Sequence, residues 1–90
     1  MYQQEATVIN KSGLHARPAA EFARAASLFR SSVYLLHDGR TINAKSIINV
    51  LAGGISRGSR VTVRAEGPDE VVAVATLTAM IESGIGETEN

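Results

Sequence analysis

Apolar positions along the chain change period several times, and each change marks an element. Glu5 to Ile9 alternate, with Ala6 and Val8 on one side, the two-residue period of a half-buried strand. Asn10 to Gly13 is polar and turn-like. Beyond it Ala19, Phe22, Ala23, Ala26 and Phe29 fall at helical spacing and define one stripe. Pro18 sits in the first turn of that helix, where its missing N–H costs nothing, and the helix is expected to stop near Ser31 and Ser32.

Val33 to Leu36 is a β-type run, followed by His37-Asp38-Gly39-Arg40 and then Thr41-Ile42-Asn43. An Asp-Gly pair between two such runs predicts a hairpin. Ser46 is placed to cap a short helix through Ile47 to Leu51, which Gly53 and Gly54 would end. Arg60 to Glu66 alternates as a strand with one wet face. Gly67-Pro68-Asp69 breaks it, and Asp69 suits the cap of a last helix with Val71, Val74, Leu77, Thr78 and Ile81 on one stripe and an end near Gly84. Residues from about 85 to 90, closing on Glu87-Thr88-Glu89-Asn90, are expected to fray. The order β-α-β-β-α-β-α with an antiparallel hairpin predicts one α+β domain over residues 1–90, its helices segregated to one face of the sheet.

Composition narrows the chemistry. A chain of 90 residues leaves room for one compact core and no separate substrate domain, and a hydrophobic share of 44% places it among globular rather than disordered chains. With no cysteine there is no disulfide framework, thiolate metal site or cysteine nucleophile. Lys+Arg and Asp+Glu balance at 9 each, so the basic excess of a nucleic-acid binder is missing. Tyr2, Phe22, Phe29 and Tyr34 are too scattered for a base-stacking platform. No apolar run approaches the roughly 20 residues of a membrane span. Met1 to Glu5 lacks the basic start and apolar run of a signal peptide, so a cytoplasmic protein without membrane insertion is expected. Two histidines and no clustered carboxylates argue against a metal or hydrolytic centre, and no cofactor is implied.

The informative segment is Gly13-Leu14-His15-Ala16-Arg17-Pro18, read as too polar and glycine-rich for the core. It places His15 immediately before a helix, whose start offers unpaired backbone N–H groups and the positive end of the dipole. Both favour an anion. Pro18 has no N–H, so the free donors are those of Ala16 and Arg17, and the Arg17 guanidinium can grip phosphate oxygens in a fork. An imidazole nitrogen there is a nucleophile facing a phosphate-binding cradle, and Gly13 permits close approach.

These residues resemble the active-site segment of the HPr family, the histidine-containing phosphocarriers of the bacterial phosphoenolpyruvate:sugar phosphotransferase system. Asn43-Ala44-Lys45-Ser46-Ile47 is similar to the family's regulatory segment, and Gly58-Ser59-Arg60-Val61 and Gly67-Pro68-Asp69-Glu70 to its fourth strand and last helix. The likeness runs from about Glu5 to Ile81. It implies an open-faced β-sandwich, a four-stranded antiparallel sheet with three helices on one face. It also implies a carrier rather than an enzyme, which takes a phosphoryl group on Nδ1 of His15 from enzyme I and passes it to a sugar-specific enzyme IIA.

By the same resemblance, Ser46 is the site of ATP-dependent phosphorylation by an HPr kinase/phosphorylase, which would bring in a catabolite-control transcription factor. Ile47, Ile48 and Leu51 are too many apolar residues for one short helix to bury on a single stripe. Some should be exposed, as a docking surface that the family places beside the histidine, with Arg24 and Lys45 framing it in positive charge. A monomer is expected. Two other readings stand beside the carrier: a mainly regulatory relative acting through phosphorylated Ser46, although such paralogues typically lack the histidine, and a small-ligand module using the helix start as an anion site.

Overall fold

Seven elements follow one another in the computed structural model, which describes residues 1–86. They are β1 (Tyr2–Thr7), α1 (Ala16–Ala26), β2 (Ser32–His37), β3 (Arg40–Asn43), α2 (Ile47–Ala52), β4 (Arg60–Glu66) and α3 (Glu70–Glu82). Alternation decides which face of the sheet is covered. Val61, Val63 and Ala65 of β4 are buried, as are Ala6, Val33, Leu35 and Ile42 on the other three strands, while the residues between them face outward. The strands order β1-β4-β2-β3 and every pairing is antiparallel. At the tip of the β2–β3 hairpin Asp38 and Gly39 both take positive φ (53° and 75°), the backbone that matches the twist of paired strands.

The helices close over the apolar face. Ala19, Phe22 and Ala26 of α1 meet Ala73, Val74, Leu77 and Ile81 of α3 in one buried cluster, and α2 contributes Val50. The fold is the expected open-faced α+β sandwich, four antiparallel strands with three helices on one side.

Several boundaries differ from the sequence expectation, each for a tertiary reason. β1 lies at Tyr2–Thr7 rather than at Glu5 to Ile9, because the whole of β4 is available to pair and Tyr2 reaches Ala65. Helix α1 ends at Ala26, short of Ser31. The Ser27 hydroxyl and amide both return to the Ala23 carbonyl (2.8 and 3.0 Å), and Leu28 and Phe29 make tighter three-residue bonds. The amides of Arg30 and Ser31, which would continue the helix, donate instead to the Asp69 carboxylate, each at 2.9 Å.

Asp69 therefore does not cap α3 with its side chain, as the sequence suggested. It also accepts from the Ser31 hydroxyl, clasping the α1–β2 connection to the start of α3. Gly67, at φ +150°, lies against this clasp so closely that a Cβ would fall 2.7 Å from the Ser31 Cα. On α3 the buried stripe is Ala73, Val74, Leu77, Thr78 and Ile81; Val71 is out in solvent, since an almost wholly apolar helix gives no period from which to choose a face.

The expected fraying from residue 85 is corrected at its first residue. Ile85 is 1% exposed and its backbone exchanges two hydrogen bonds with the side chain of Asn10, itself fully buried: Asn10 Nδ2 donates to the Ile85 carbonyl (2.7 Å) and the Ile85 amide donates to Asn10 Oδ1 (3.0 Å). Residues 87–90 lie outside the described part.

The clasp has a pH signature. The Ser31 hydroxyl first, and then the Arg30 amide, pull the Asp69 carboxyl down to about 2. Its ordinary value in an unfolded chain is about 3.9. A carboxylate depressed on folding stabilises the native state above its unfolded value and loses that contribution as pH falls through its folded value. Asp69→Asn should therefore lower the urea midpoint at neutral pH. The gap from wild type should hold down to about pH 4 and close towards about pH 2. Midpoints measured by circular dichroism across that range check this, and a constant gap down to pH 2 would refute it.

Candidate functional site

Around His15 the chain passes from core to solvent within one residue. Leu14 is buried at 3% exposure, contrary to the reading of this segment as too polar for the core. Its amide donates to the Ile55 carbonyl at 2.9 Å, and the Gly13 amide donates to the Asn10 carbonyl at 3.0 Å. Gly13 takes φ +65°, and a Cβ there would overlap the Ile55 carbonyl oxygen and stand 2.7 Å from the Ser56 Cα. The two backbones touch, so glycine is required both by conformation and by space.

His15 follows as the N-cap of α1, with extended backbone (φ −79°, ψ −166°). Its carbonyl accepts the Ala19 amide at 2.9 Å, the first bond of the helix. Its ring makes no capping bond and the residue is exposed. The Ala16 and Arg17 amides precede the first helical donor, so neither has a carbonyl within the helix to reach, and both residues are exposed. No acidic residue occupies the first turn. The arrangement is an exposed imidazole at the positive end of an 11-residue helix, next to two backbone donors.

Arg17 lies on that turn, but its side chain, 74% exposed, is engaged elsewhere. Its Nε stands 3.3 Å from Glu21 Oε2, one turn further along. Glu21 is absent from the sequence-derived site, although an Arg–Glu pair four residues apart on a helix is a readable signal.

The second segment keeps most of its predicted features. Ser46 caps α2, its hydroxyl oxygen accepting the Asn49 amide at 3.2 Å. Val50 points into the core, whereas Ile47, Ile48 and Leu51 are 47%, 76% and 44% exposed. Helix α2 packs against α1. Arg24 is exposed in the last turn of α1. Lys45 is not a free rim charge: its ammonium donates to the Phe29 carbonyl at 2.8 Å, stitching α2's entry to the end of the α1 turn. Among the described residues no group of three His, Cys, Asp or Glu is placed to hold a metal ion, and no helix is long and apolar enough to cross a membrane.

With this geometry the chain matches, over residues 2–83, the family described as the PTS HPr component phosphorylation site. The chain belongs to the HPr family. It is 43% identical to the phosphocarrier protein HPr of Cupriavidus necator, covering 99% of this chain and all of that protein. It is 42% identical to the HPr-like protein Crh of Bacillus subtilis, over 94% of this chain and all of that one. The crystal structure of HPr-C-His from Thermoanaerobacter tengcongensis superposes with a TM-score of 0.92 at 43% identity, covering 99% and 100% of the two chains. An HPr dimer from the same organism superposes at 0.75 with 44% identity, covering 97% and 100%. This likeness makes the chain an HPr-type phosphocarrier of the phosphotransferase system.

The Gly13–Ile55 contact predicts a specific sensitivity. Gly13→Ala should remain folded but lose at least about 1–2 kcal/mol, since a left-handed alanine is itself strained by about that much and the Ile55 carbonyl must also yield. Chemical denaturation measures the loss, and amide shifts confined to residues 10–17 and 53–57 would locate it. A variant as stable as wild type would show that the contact is not tight.

Proposed function

We propose that this protein carries a phosphoryl group on Nδ1 of His15, taking it from phosphorylated enzyme I and giving it to a histidine of a sugar-specific enzyme IIA. The observation that supports this best is the position of His15: an exposed ring at a helix start with no capping bond, inside the matched family segment. In the transfer an unprotonated Nδ1 attacks phosphorus while Nε2 keeps its proton. The P–N bond to the donor histidine breaks as the bond to His15 forms, and the donor nitrogen keeps the electron pair. The Ala16 and Arg17 amides and the Arg17 guanidinium then hold the phosphoryl oxygens. Each exposed dipole contribution is only about 0.3–1 kcal/mol, so the group is held loosely enough to be passed on.

The protein turns over nothing by itself; its partners bring most of the transition-state geometry. It works in the cytoplasm as a monomer, where the phosphoenolpyruvate-driven donor is found. Ile47, Ile48 and Leu51, with Arg24 of α1, form the docking surface. Incubation with enzyme I and labelled phosphoenolpyruvate should give acid-labile label that His15→Ala abolishes. No label in the wild type would sink the carrier reading, and acid-stable label would point to Ser46.

Ser46 is proposed as the regulatory site, phosphorylated from ATP by an HPr kinase/phosphorylase: the Pγ–O bond of ATP breaks, the Ser46 Oγ–P bond forms and the hydroxyl proton goes to the kinase. The likeness to Crh supports a regulatory output through a catabolite-control transcription factor, while the presence of His15 favours the carrier as the main role. A phosphate at Ser46 adds about −1.5 to −2 charges beside the exposed isoleucines, where it desolvates badly against an apolar partner. The helix itself tolerates the charge, since the cap position is at its positive end. Ser46→Asp should therefore raise the KM for transfer from enzyme I by about tenfold, about 1.4 kcal/mol, with little change in the denaturation midpoint. Equal transfer kinetics for the two proteins would refute it.

A further inference from the structure

We propose that Glu21 sets how firmly the phosphoryl group is held, by competing with that group for the Arg17 guanidinium. The inference rests on the His15 carrier reading and adds to it a residue that tunes the exchange.

Two observations carry it. The first is the Arg17–Glu21 pair itself, 3.3 Å between Nε and Oε2, in which the carboxylate is the more confined partner: Glu21 is 34% exposed against 74% for Arg17. The second is what confines it. The backbone of Gly86, at φ +67°, runs so close that a Cβ there would overlap Glu21 Oε2 and lie 2.9 Å from its Cδ. Gly86 is in turn fixed by its neighbour Ile85, whose backbone is bound on both sides by the buried Asn10. The Asn10 carbonyl also receives the Gly13 amide at the head of the His15 segment. One buried asparagine thus braces the carboxylate from one side and the histidine's own loop from the other.

A carboxylate so placed acts on the phosphoryl group in one direction. Before transfer it neutralises Arg17. After transfer the phosphoryl oxygens must draw the guanidinium away, and side-chain rotation of Arg17 suffices, since Glu21 lies against the Gly86 backbone while Arg17 is the more exposed partner. The phosphorylated form therefore gains the new contact minus the old one. Exposed ion pairs of this kind correspond to about 1.4- to 5-fold in an equilibrium constant, and they weaken as salt rises. Glu21 makes the protein a readier donor than Arg17 alone would.

A partition experiment tests this. Wild type and Glu21→Gln, in equal amounts, share limiting labelled phosphoenolpyruvate through catalytic enzyme I until the label equilibrates between them. The two proteins differ in charge and separate on a native gel. At about 50 mM salt the label should favour Glu21→Gln by about two- to fivefold, and at about 500 mM the preference should largely vanish. The same comparison between Arg17→Gln and the Arg17→Gln/Glu21→Gln double variant should give an even split. An even split with Arg17 present overturns the inference and leaves the carrier reading intact. A preference that survives the loss of Arg17 also overturns it, since Glu21 would then act on the phosphoryl group directly. No label on any of the proteins overturns the carrier reading, and the inference with it.

Discussion

Leu14 is in the core and His15 is in solvent, and the backbone contact between Gly13 and Ile55 is what makes so abrupt a change possible. A side chain at the surface of a small protein is ordinarily a mobile one. Here the residue before it is anchored by a buried side chain and by a hydrogen bond to Ile55, and the residue after it begins a helix. The ring is presented outward from a backbone that has little freedom left. Geometry normally supplied by the walls of a pocket is supplied from beneath, leaving the outer side of the ring open to solvent.

The chemistry at this site is a sum of small effects: a helix start, two amides and one exposed guanidinium. None of them binds an anion strongly in water. In the proposed carrier role that weakness suits a group that has to leave again, and it makes modest neighbours count. On the proposed carrier reading, a carboxylate one turn away or a charge added at the cap of α2 would act on the same scale as the contacts that would hold the phosphoryl group.

Much of this was legible in the residues. The alternation of Arg60 to Glu66, the Asp38-Gly39 turn and the Ser46 cap are local signals, and the structure follows them closely. The histidine at a helix start was legible for the same reason. What local pattern missed was decided across the fold. Asp69 looks like a cap, but the amides of Arg30 and Ser31, 39 and 38 residues away, reach its carboxylate. Val71 fits a helical stripe as well as Ala73 does, and only the packing of α3 on the sheet selects between them. Asn10 reads as a turn residue, because its partner is 75 residues downstream.

That last separation has a kinetic meaning. A bond between residues 10 and 85 closes a loop of nearly the whole chain, and its closure entropy is compensated only once the sheet and both long helices are in place. It belongs among the last contacts made on the way in and the first broken on the way out. Such contacts leave the rate of folding almost untouched and slow the rate of unfolding. By that argument the Asn10–Ile85 pair slows unfolding more than it speeds folding, and it sits under the loop that presents the histidine.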